Sequence, residues 1–294
     1  MTNDDLMQLA GLLSDYEREQ LLALVTDVVG GERPWEEDVG VFYNDYVKLR
    51  SVGIGDDPSL LVPGGDDADD GDGIYAPIPL TCAAAPETAP IDLPVPGEID
   101  LSLTQALLAR RSRRDFGSSP LPLETLSTLL SYAAGVRGHG QAYGYRRFPL
   151  RTFPSAGGLQ SPELYLFVRA VEELEAGIYH YQPLQHALEP VGAGDHSTTL
   201  RALGLGQYWL ETAAAVLGVT GRYDRLRWKY SERAYRYMCI DAGFLGANVY
   251  LVGEALSLGV CAIAGFLDDP IQSLLRVDGR DELVLMLMAL GPRP

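Results

Sequence analysis

The chain has 294 residues, of which 47% are hydrophobic, and a formal net charge of −17 at pH 7. This composition is sufficient for a large globular domain. The charge is unevenly distributed, because residues 1–100 carry 22 acids and 4 bases whereas residues 101–294 carry 18 acids and 19 bases. A protein of this kind lacks the broad basic surface that non-specific nucleic-acid binding requires, so we predict no nucleic-acid partner.

The cysteines and histidines argue against a metal centre. Cys82, Cys239 and Cys261 lie far apart without a CxxC pair, which disfavours a zinc ribbon or a disulfide framework and favours a reducing cytoplasm. No two histidines have metal-ligand spacing, and His180, within a predicted strand, is interpreted as structural. No signal peptide or membrane-spanning run is recognisable, so we expect a soluble cytoplasmic protein without a membrane partner.

Three regions follow one another along the chain. Helical periodicity predicts an N-terminal helical extension over residues 1–50. Residues 51–98 are rich in proline, glycine and aspartate and contain no lysine or arginine, which predicts an extended linker or wrap. The main domain is expected over residues 99–294.

Helices and strands mix in this domain in the manner of an α+β fold. The first predicted elements are a helix at 101–108, whose start Asp100 or Ser102 caps, a helix at 122–134, a flexible loop at 135–144, and strands at 163–168, 177–181 and 187–191. The remaining ones are a helix at 197–212, a strand at 213–220, a long helix at 234–258, a strand at 260–263, a helix at 270–275 and a strand at 283–290. The long helix is rich in small residues, which indicates close approach of another backbone or of a flat ligand.

Four guanidinium groups fall within the five positions 110–114, directly after the first predicted helix. Arginine forks match phosphate oxygens two at a time, so such a cluster is typical of a phosphate site. A solvated basic turn is the alternative interpretation of this cluster taken alone.

Two further segments bring small residues to places where a ligand can approach the backbone. Residues 154–158 read Pro-Ser-Ala-Gly-Gly, and an ordinary tight turn is the alternative there. Residues 261–266 read Cys-Ala-Ile-Ala-Gly-Phe, where a strand ending in Ala-Gly leaves main-chain N–H groups available. A simple strand end with a glycine turn is the alternative.

The order of these segments resembles the nitroreductase-like FMN flavoproteins. Other motifs resemble one branch of them, the SagB-type dehydrogenases, which make thiazoles and oxazoles in ribosomal peptides. These motifs are residues 42–49, 154–163, 177–183, 228–230, 233–237 and 289–291. The resemblance implies a central mixed, mainly antiparallel sheet flanked by helices, with FMN bound between the subunits of a homodimer.

The resemblance also implies roles for particular residues. Those expected to hold the FMN phosphate and ribityl chain are Arg110, Arg111, Ser112 and Arg114, with Arg293 as a further phosphate contact. Those expected at one flavin face are Pro154, Ser155, Ala156 and Gly157. The N–H groups of Ala264 and Gly265 are expected to address flavin N5 and O4, where charge develops on reduction.

Lys229 and Tyr230 are the candidate catalytic residues. Lysines occur at only two positions, 48 and 229, among 23 basic side chains, and lysine can lose its proton when buried. The branch places a proton-handling pair here, so Tyr230 is the expected base and Lys229 its electrostatic partner, with exchanged roles also open. Neighbouring residues of a regular helix point about 100° apart, so we expect a turn or an irregular helix end. A solvated Lys–Tyr pair is the alternative.

Three functions remain open from the sequence. The first is an FMN-dependent dehydrogenase that oxidises azolines to thiazoles or oxazoles in a precursor peptide, after a cyclodehydratase partner has formed the rings. The second is a general NAD(P)H-dependent nitro or quinone reductase on the same fold. The third is a non-catalytic flavin-binding scaffold of a maturation complex.

Overall fold

The computed structural model describes residues 89–143 and 145–294. The predictions for residues 1–50 and for all but the last ten positions of the linker, with Cys82 and Lys48, lie outside this part of the chain. Within it, the helices are α1 (Leu103–Ala109), α2 (Leu123–Ala134), α3 (Ser197–Leu203), α4 (Trp209–Thr212), α5 (Asp224–Tyr230), α6 (Ala234–Ala255) and α7 (Asp268–Leu275). The strands are β1 (Ile91–Asp92), β2 (Val136–Ala142), β3 (Tyr145–Arg151), β4 (Pro162–Val168), β5 (Gly177–Gln182), β6 (Ala187–Ala193), β7 (Ala215–Arg222), β8 (Leu258–Ile263) and β9 (Glu282–Pro292).

Seven strands form the central sheet in the order β1-β6-β5-β4-β7-β9-β8, and neighbouring strands run antiparallel. Helices cover both faces, so the central strands are apolar on both sides. On β4, Leu164 and Leu166 pack into one core with α2 and α6, whereas Tyr165 and Phe167 pack into the other with α3, α4 and α7. This alternation follows from the two-residue period of a strand. The α+β sandwich of helices around an antiparallel sheet is therefore confirmed.

Small residues let α6 lie close to the sheet. A Cβ on Gly246 would lie 2.7 Å from the Met286 side chain, and one on Gly253 would lie 2.6 Å from Val260. The opposite side of α6 is exposed and also apolar: it carries Tyr235, Cys239, Ile240, Gly243, Phe244 and Ala247. The predicted close approach is thus met by the sheet on one side of the helix, while a second apolar side faces outward.

Residues 135–144 are not the loop that the glycines predicted. Residues 136–142 form β2, which pairs antiparallel with β3 as a separate two-stranded sheet. Along β2, exposed polar residues alternate with half-buried small ones, beginning at Val136 and Arg137. The pairing partner, which composition does not reveal, makes this segment a strand.

Two other predicted boundaries were wrong. The helix expected over 197–212 is two helices, because Leu205 and Gly206 have φ angles of 57° and 79° that interrupt it. The long helix ends at Ala255 rather than 258, where β8 has already begun. Within the part of the chain that the structure describes, no helix is long and apolar enough to cross a membrane.

Candidate active site

The arginine segment lies beside β8. The main-chain N–H of Arg113 donates to the Val260 carbonyl at 2.9 Å. Tyr250 of α6 joins the two segments, because its hydroxyl oxygen lies 3.0 Å from Ser112 Oγ and accepts the N–H of Ala262 at 2.8 Å. Tyr250 of α6 therefore links the predicted phosphate site to Ala262, which precedes Ala264 by two residues.

The guanidinium groups of this segment divide into two sets. Arg113 and Arg293 lie 3.7 and 2.7 Å from the buried carboxylate of Glu254 and belong to the fold's own ion pairs. Arg110, Arg111 and Arg114 are exposed, and no carboxylate in residues 89–143 or 145–294 forms an ion pair with them. The exposed set is available to a phosphate, whereas the predicted phosphate role of Arg293 competes with Glu254.

The Ser155–Gly157 loop is hydrogen-bonded to Asp241 of α6. Its carboxylate accepts the N–H of Ala156 at 2.9 Å and the hydroxyl of Ser161 at 3.1 Å. Asp241 is 1% exposed, and this burial raises its pKa to about 6, although hydrogen bonds from the loop lower it. Gly157 has a φ angle of 60°, which suits glycine, and its backbone is exposed.

Helix α5 ends at the two candidate catalytic residues. Ser231, the next residue, has a φ angle of 48° and breaks the helix, which confirms the expected irregular end at Lys229 and Tyr230. A Cβ on Gly157 would lie 2.5 Å from Tyr230 Oη, 2.8 Å from Tyr143 Oη and 3.0 Å from Lys229 Nζ. Three proton-carrying groups therefore converge on the exposed loop, and any side chain at position 157 would displace them.

Burial and hydrogen bonding set the protonation of this group. Burial raises the pKa of the Tyr230 phenol above 10.0, and the Lys229 ammonium offsets only part of that rise. Burial lowers the pKa of Lys229, but the hydrogen bond with Tyr143 and the two nearby phenols raise it above 10.5 overall. At neutral pH the resting site therefore contains an ammonium and a neutral Tyr230 phenol.

A buried ion pair anchors α5 to the sheet. Arg225 of α5 pairs with Glu163 of β4 and donates to the Gln160 carbonyl at 2.7 Å. His180 lies 3.4 Å from the same glutamate and is 1% exposed, so its position is structural. The arginine holds the pKa of Glu163 well below its usual range despite the burial, which alone would raise it. The end of α5 that carries Lys229 and Tyr230 is therefore fixed relative to the loop that contains Gln160.

The structure does not join the two predicted parts of the ligand site within the single chain. Among the described residues, no hydrogen bond or ion pair links residues 110–114 to the Ser155–Gly157 loop. Their anchors, Asp241 and Tyr250, lie nine residues apart on α6. That spacing is two and a half turns, so the side chains leave the helix on opposite sides, about 13 Å apart along its axis.

Three residues of this arrangement were missed from the sequence. Tyr143 and Tyr250 have no local motif. Asp241 had a signal, because it is the only acidic residue between positions 234 and 253, a stretch in which most other side chains are apolar. A lone acid in such a helix requires buried donors.

A family model described as Nitroreductase family matches residues 107–292 of the chain. The chain belongs to the nitroreductase family. Membership of this family supports an oxidoreductase activity for the protein. MJ1384 of Methanocaldococcus jannaschii, named as a candidate nitroreductase, is 32% identical over 68% of this chain and 96% of its own length.

Two peptide-processing proteins are also similar to this nitroreductase family member. The trifolitoxin-processing protein TfxB of Rhizobium leguminosarum bv. trifolii is 29% identical over 54% of this chain and 45% of its own length. The microcin B17-processing protein McbC of Escherichia coli is 27% identical over 48% of this chain and 54% of its own length. The match thus spans about half of each relative, and it supports the SagB-type branch of the family.

Solved structures agree on the fold. A candidate nitroreductase from Ralstonia eutropha superimposes with a TM-score of 0.58 at 25% identity, covering 71% of this chain and 93% of its own. A chain of the E. coli microcin synthetase McbBCD complex with truncated pro-MccB17 gives a TM-score of 0.53 at 19% identity. That match covers 98% of this chain and 97% of the other.

Proposed function

We propose that this protein is an FMN-dependent dehydrogenase that oxidises azolines to azoles, thiazole or oxazole, in a ribosomally synthesised peptide. The observation that carries the proposal is the convergence of Lys229 Nζ and Tyr230 Oη on the exposed backbone of Gly157. A dehydrogenation of this kind requires a proton acceptor beside the cofactor face. The likeness to two peptide-processing proteins favours a peptide as the substrate.

The residues present fit a phosphate-terminated flavin. Exposed arginines lie on both sides of Ser112 in the sequence, and Ala264 and Gly265 are exposed directly after β8. Gly157 adds an exposed backbone position without a Cβ. Arg110, Arg111, Ser112 and Arg114 would hold the phosphate and ribityl chain, residues 154–157 one ring face, and Ala264 and Gly265 the pyrimidine edge.

The proposed cofactor is tested by chromatography of the supernatant after the protein is denatured. We expect FMN. FAD, or no flavin even after reconstitution with FMN, would refute the assignment, because the arginine cluster provides for one phosphate end.

In the proposed mechanism, the phenol of Tyr230 first gives its proton to solvent, and the resulting phenolate takes the acidic ring proton next to the azoline carbonyl. Because the pKa of Tyr230 is raised, the phenolate is a minor form at neutral pH, and the Lys229 ammonium assists by stabilising it. The ring loses one proton and one hydride and becomes aromatic. When bound, FMN supplies the two-electron acceptor for this dehydrogenation.

We further propose a homodimer in which each site is shared. The apolar outer side of α6 supports it, and so do Leu103, Leu107 and Leu108 of the adjoining α1, which are 67%, 56% and 84% exposed. The positions of Asp241 and Tyr250 on opposite sides of α6 separate the loop from the arginines within one protomer. A second copy would supply the missing half to each site, across an interface of more than about 2,000 Å².

The substrate and partner follow from the same proposal. An azoline forms by cyclodehydration of a cysteine, serine or threonine side chain, which a separate enzyme must perform before this one acts. The proposed partners are therefore an azoline-containing precursor peptide and a cyclodehydratase.

A general nitro or quinone reductase is the second candidate. It is favoured by the similarity to MJ1384 over 96% of that protein's length. Anaerobic mixing separates the two: bleaching of the bound flavin by an azoline peptide, and not by NADPH alone, supports the dehydrogenase. Rapid bleaching by NADPH without any peptide supports the reductase.

A further inference from the structure

The tip of the β2–β3 hairpin carries Tyr143 to the candidate catalytic group. Its ring packs edge-on against Phe148, with ring centroids 5.6 Å apart, at the base of the tip. Its backbone has a φ angle of 53° at the turn between the strands. A separate two-stranded sheet thus presents one phenol to the end of α5, across 86 residues of sequence.

The direction of each hydrogen bond at Tyr143 follows from chemistry. The Lys229 ammonium can only donate, so it donates to the Tyr143 oxygen at 2.8 Å. The Gly157 carbonyl can only accept, so Tyr143 donates its single O–H to that carbonyl at 2.5 Å. A phenol held in this way faces a carbonyl that takes up no proton at neutral pH, so Tyr143 is an anchor rather than a base.

We propose that Tyr143 is a positioning residue, which fixes the Lys229 ammonium beside Tyr230 and ties both to the Gly157 loop. This inference rests on the proposed function for its catalytic consequence and on the hydrogen bonds alone for its structural part. It divides the two tyrosines by role: Tyr230 acts on substrate, whereas Tyr143 acts through Lys229.

The contact between Tyr143 and Lys229 can be measured, because the titratable neighbours of Lys229 change its pKa. Two phenols raise its pKa, Tyr143 from the hairpin and Tyr230 from its own helix, against the opposing effect of burial. Removing the Tyr143 hydroxyl takes away one acceptor of the ammonium. The neutral amine should then become more populated at a given pH.

The test uses Tyr143→Phe, which keeps the ring against Phe148. Because lysines occur only at positions 48 and 229, trace acylation followed by mass spectrometry reads Lys229 directly, with Lys48 as the internal standard. We expect Lys229 to react about three- to tenfold faster than in the wild type at mildly alkaline pH. Tyr132→Phe, on the exposed side of α2, is the control and should leave the ratio unchanged.

The second readout is steady-state azoline oxidation. Tyr143→Phe should lower kcat about tenfold or more with little change in KM, since the proton-handling group is affected and peptide binding is not. An unchanged acylation ratio, or an unchanged kcat, would overturn the proposal. Acylation requires no substrate, so it tests the pairing even if the wild-type protein fails to oxidise azolines and the proposed function falls.

Discussion

The carboxylate of Asp241 accepts a hydrogen bond from the main-chain N–H of Ala156 at 2.9 Å, across 85 residues of sequence. This contact joins the long helix α6 to the loop that we propose lies against the cofactor. The carboxylate is buried, and its raised pKa of about 6 reflects the cost of keeping a charge there. Stability and site geometry are therefore linked at one residue.

Asp241→Asn should change how stability depends on pH. Between pH 3.8, its ordinary pKa, and about 6, the folded protein binds more protons at Asp241 than the unfolded chain does. Its contribution to the free energy of unfolding therefore falls as pH rises through this window. An asparagine side chain does not titrate. The free energy of unfolding of the variant, relative to that of the wild type, should therefore increase from pH 4 to pH 7 in urea unfolding.

Asp278→Asn is a control of opposite sign. Main-chain N–H groups of Arg280, Glu282 and Asp281 lower the pKa of Asp278, so its contribution is lost as pH falls. If the stability difference for Asp241→Asn stayed constant across the window, the raised pKa would be wrong.

Gly157→Ala should abolish turnover while the fold persists. The new Cβ would lie 2.5 Å from Tyr230 Oη and 2.8 Å from Tyr143 Oη, so these hydroxyls must move. Gly158→Ala is the matched control, since Gly158 also has a positive φ angle, 69°, but an added Cβ meets nothing within 4 Å. Both variants should lose about 1–2 kcal/mol of stability from backbone strain. Equal turnover in the two would show that the convergence on Gly157 has no part in catalysis.

Substitutions in the proposed catalytic pair should affect turnover, whereas a substitution in the arginine cluster should affect cofactor binding. Tyr230→Phe and Lys229→Ala should keep the flavin and lower azoline oxidation about 10²- to 10⁴-fold, the usual effect of removing a positioned proton-transfer group. Arg110→Ala should instead weaken FMN binding by about 1.5–3 kcal/mol, the value of a charge-assisted contact with phosphate. Flavin content and turnover are measured on the same preparations. Wild-type turnover by fully loaded Tyr230→Phe would restore the interpretation of a surface Lys–Tyr pair.

Mixing two impaired variants, at an FMN concentration too low to load Arg110→Ala alone, tests the shared site. If the arginines of one protomer serve the Tyr230 of its partner, a heterodimer of Arg110→Ala and Tyr230→Phe contains one intact site and one doubly altered site. Random reassociation should then recover about a quarter of wild-type activity. If each site lies within one protomer, every site in the mixture carries one defect, and activity stays at the level of the separate variants.

The central elements could be predicted because a buried strand or helix requires a recognisable pattern of apolar residues. Strands β4 and β7 are rich in apolar residues, since helices cover both faces of the sheet, and their predicted ends differ from the observed ones by no more than two residues. Helix α2 begins after Pro122, as the preference of proline for helix starts indicates. The irregular end of α5 was likewise expected from the need to bring two adjacent side chains to one place.

The features that the sequence did not predict depend on contacts between residues that lie far apart in the sequence. The glycines at 138 and 140 are typical of a loop, and only the pairing with β3 makes that segment a strand. Tyr143 enters the site because of this hairpin, so the wrong prediction of a loop also concealed the residue. The protonation of Tyr230 likewise depends on packing, since the burial that outweighs the Lys229 ammonium comes from Tyr237 and its neighbours.

The most direct test of the central claim is the mass of an azoline-containing peptide after incubation with the flavin-loaded protein. The proposed dehydrogenation predicts a loss of about 2 Da for each ring oxidised, two hydrogens, and no loss with flavin-loaded Tyr230→Phe over the same time. An unchanged peptide mass with the fully loaded wild-type protein and its cyclodehydratase partner present would contradict the assignment as an azoline dehydrogenase.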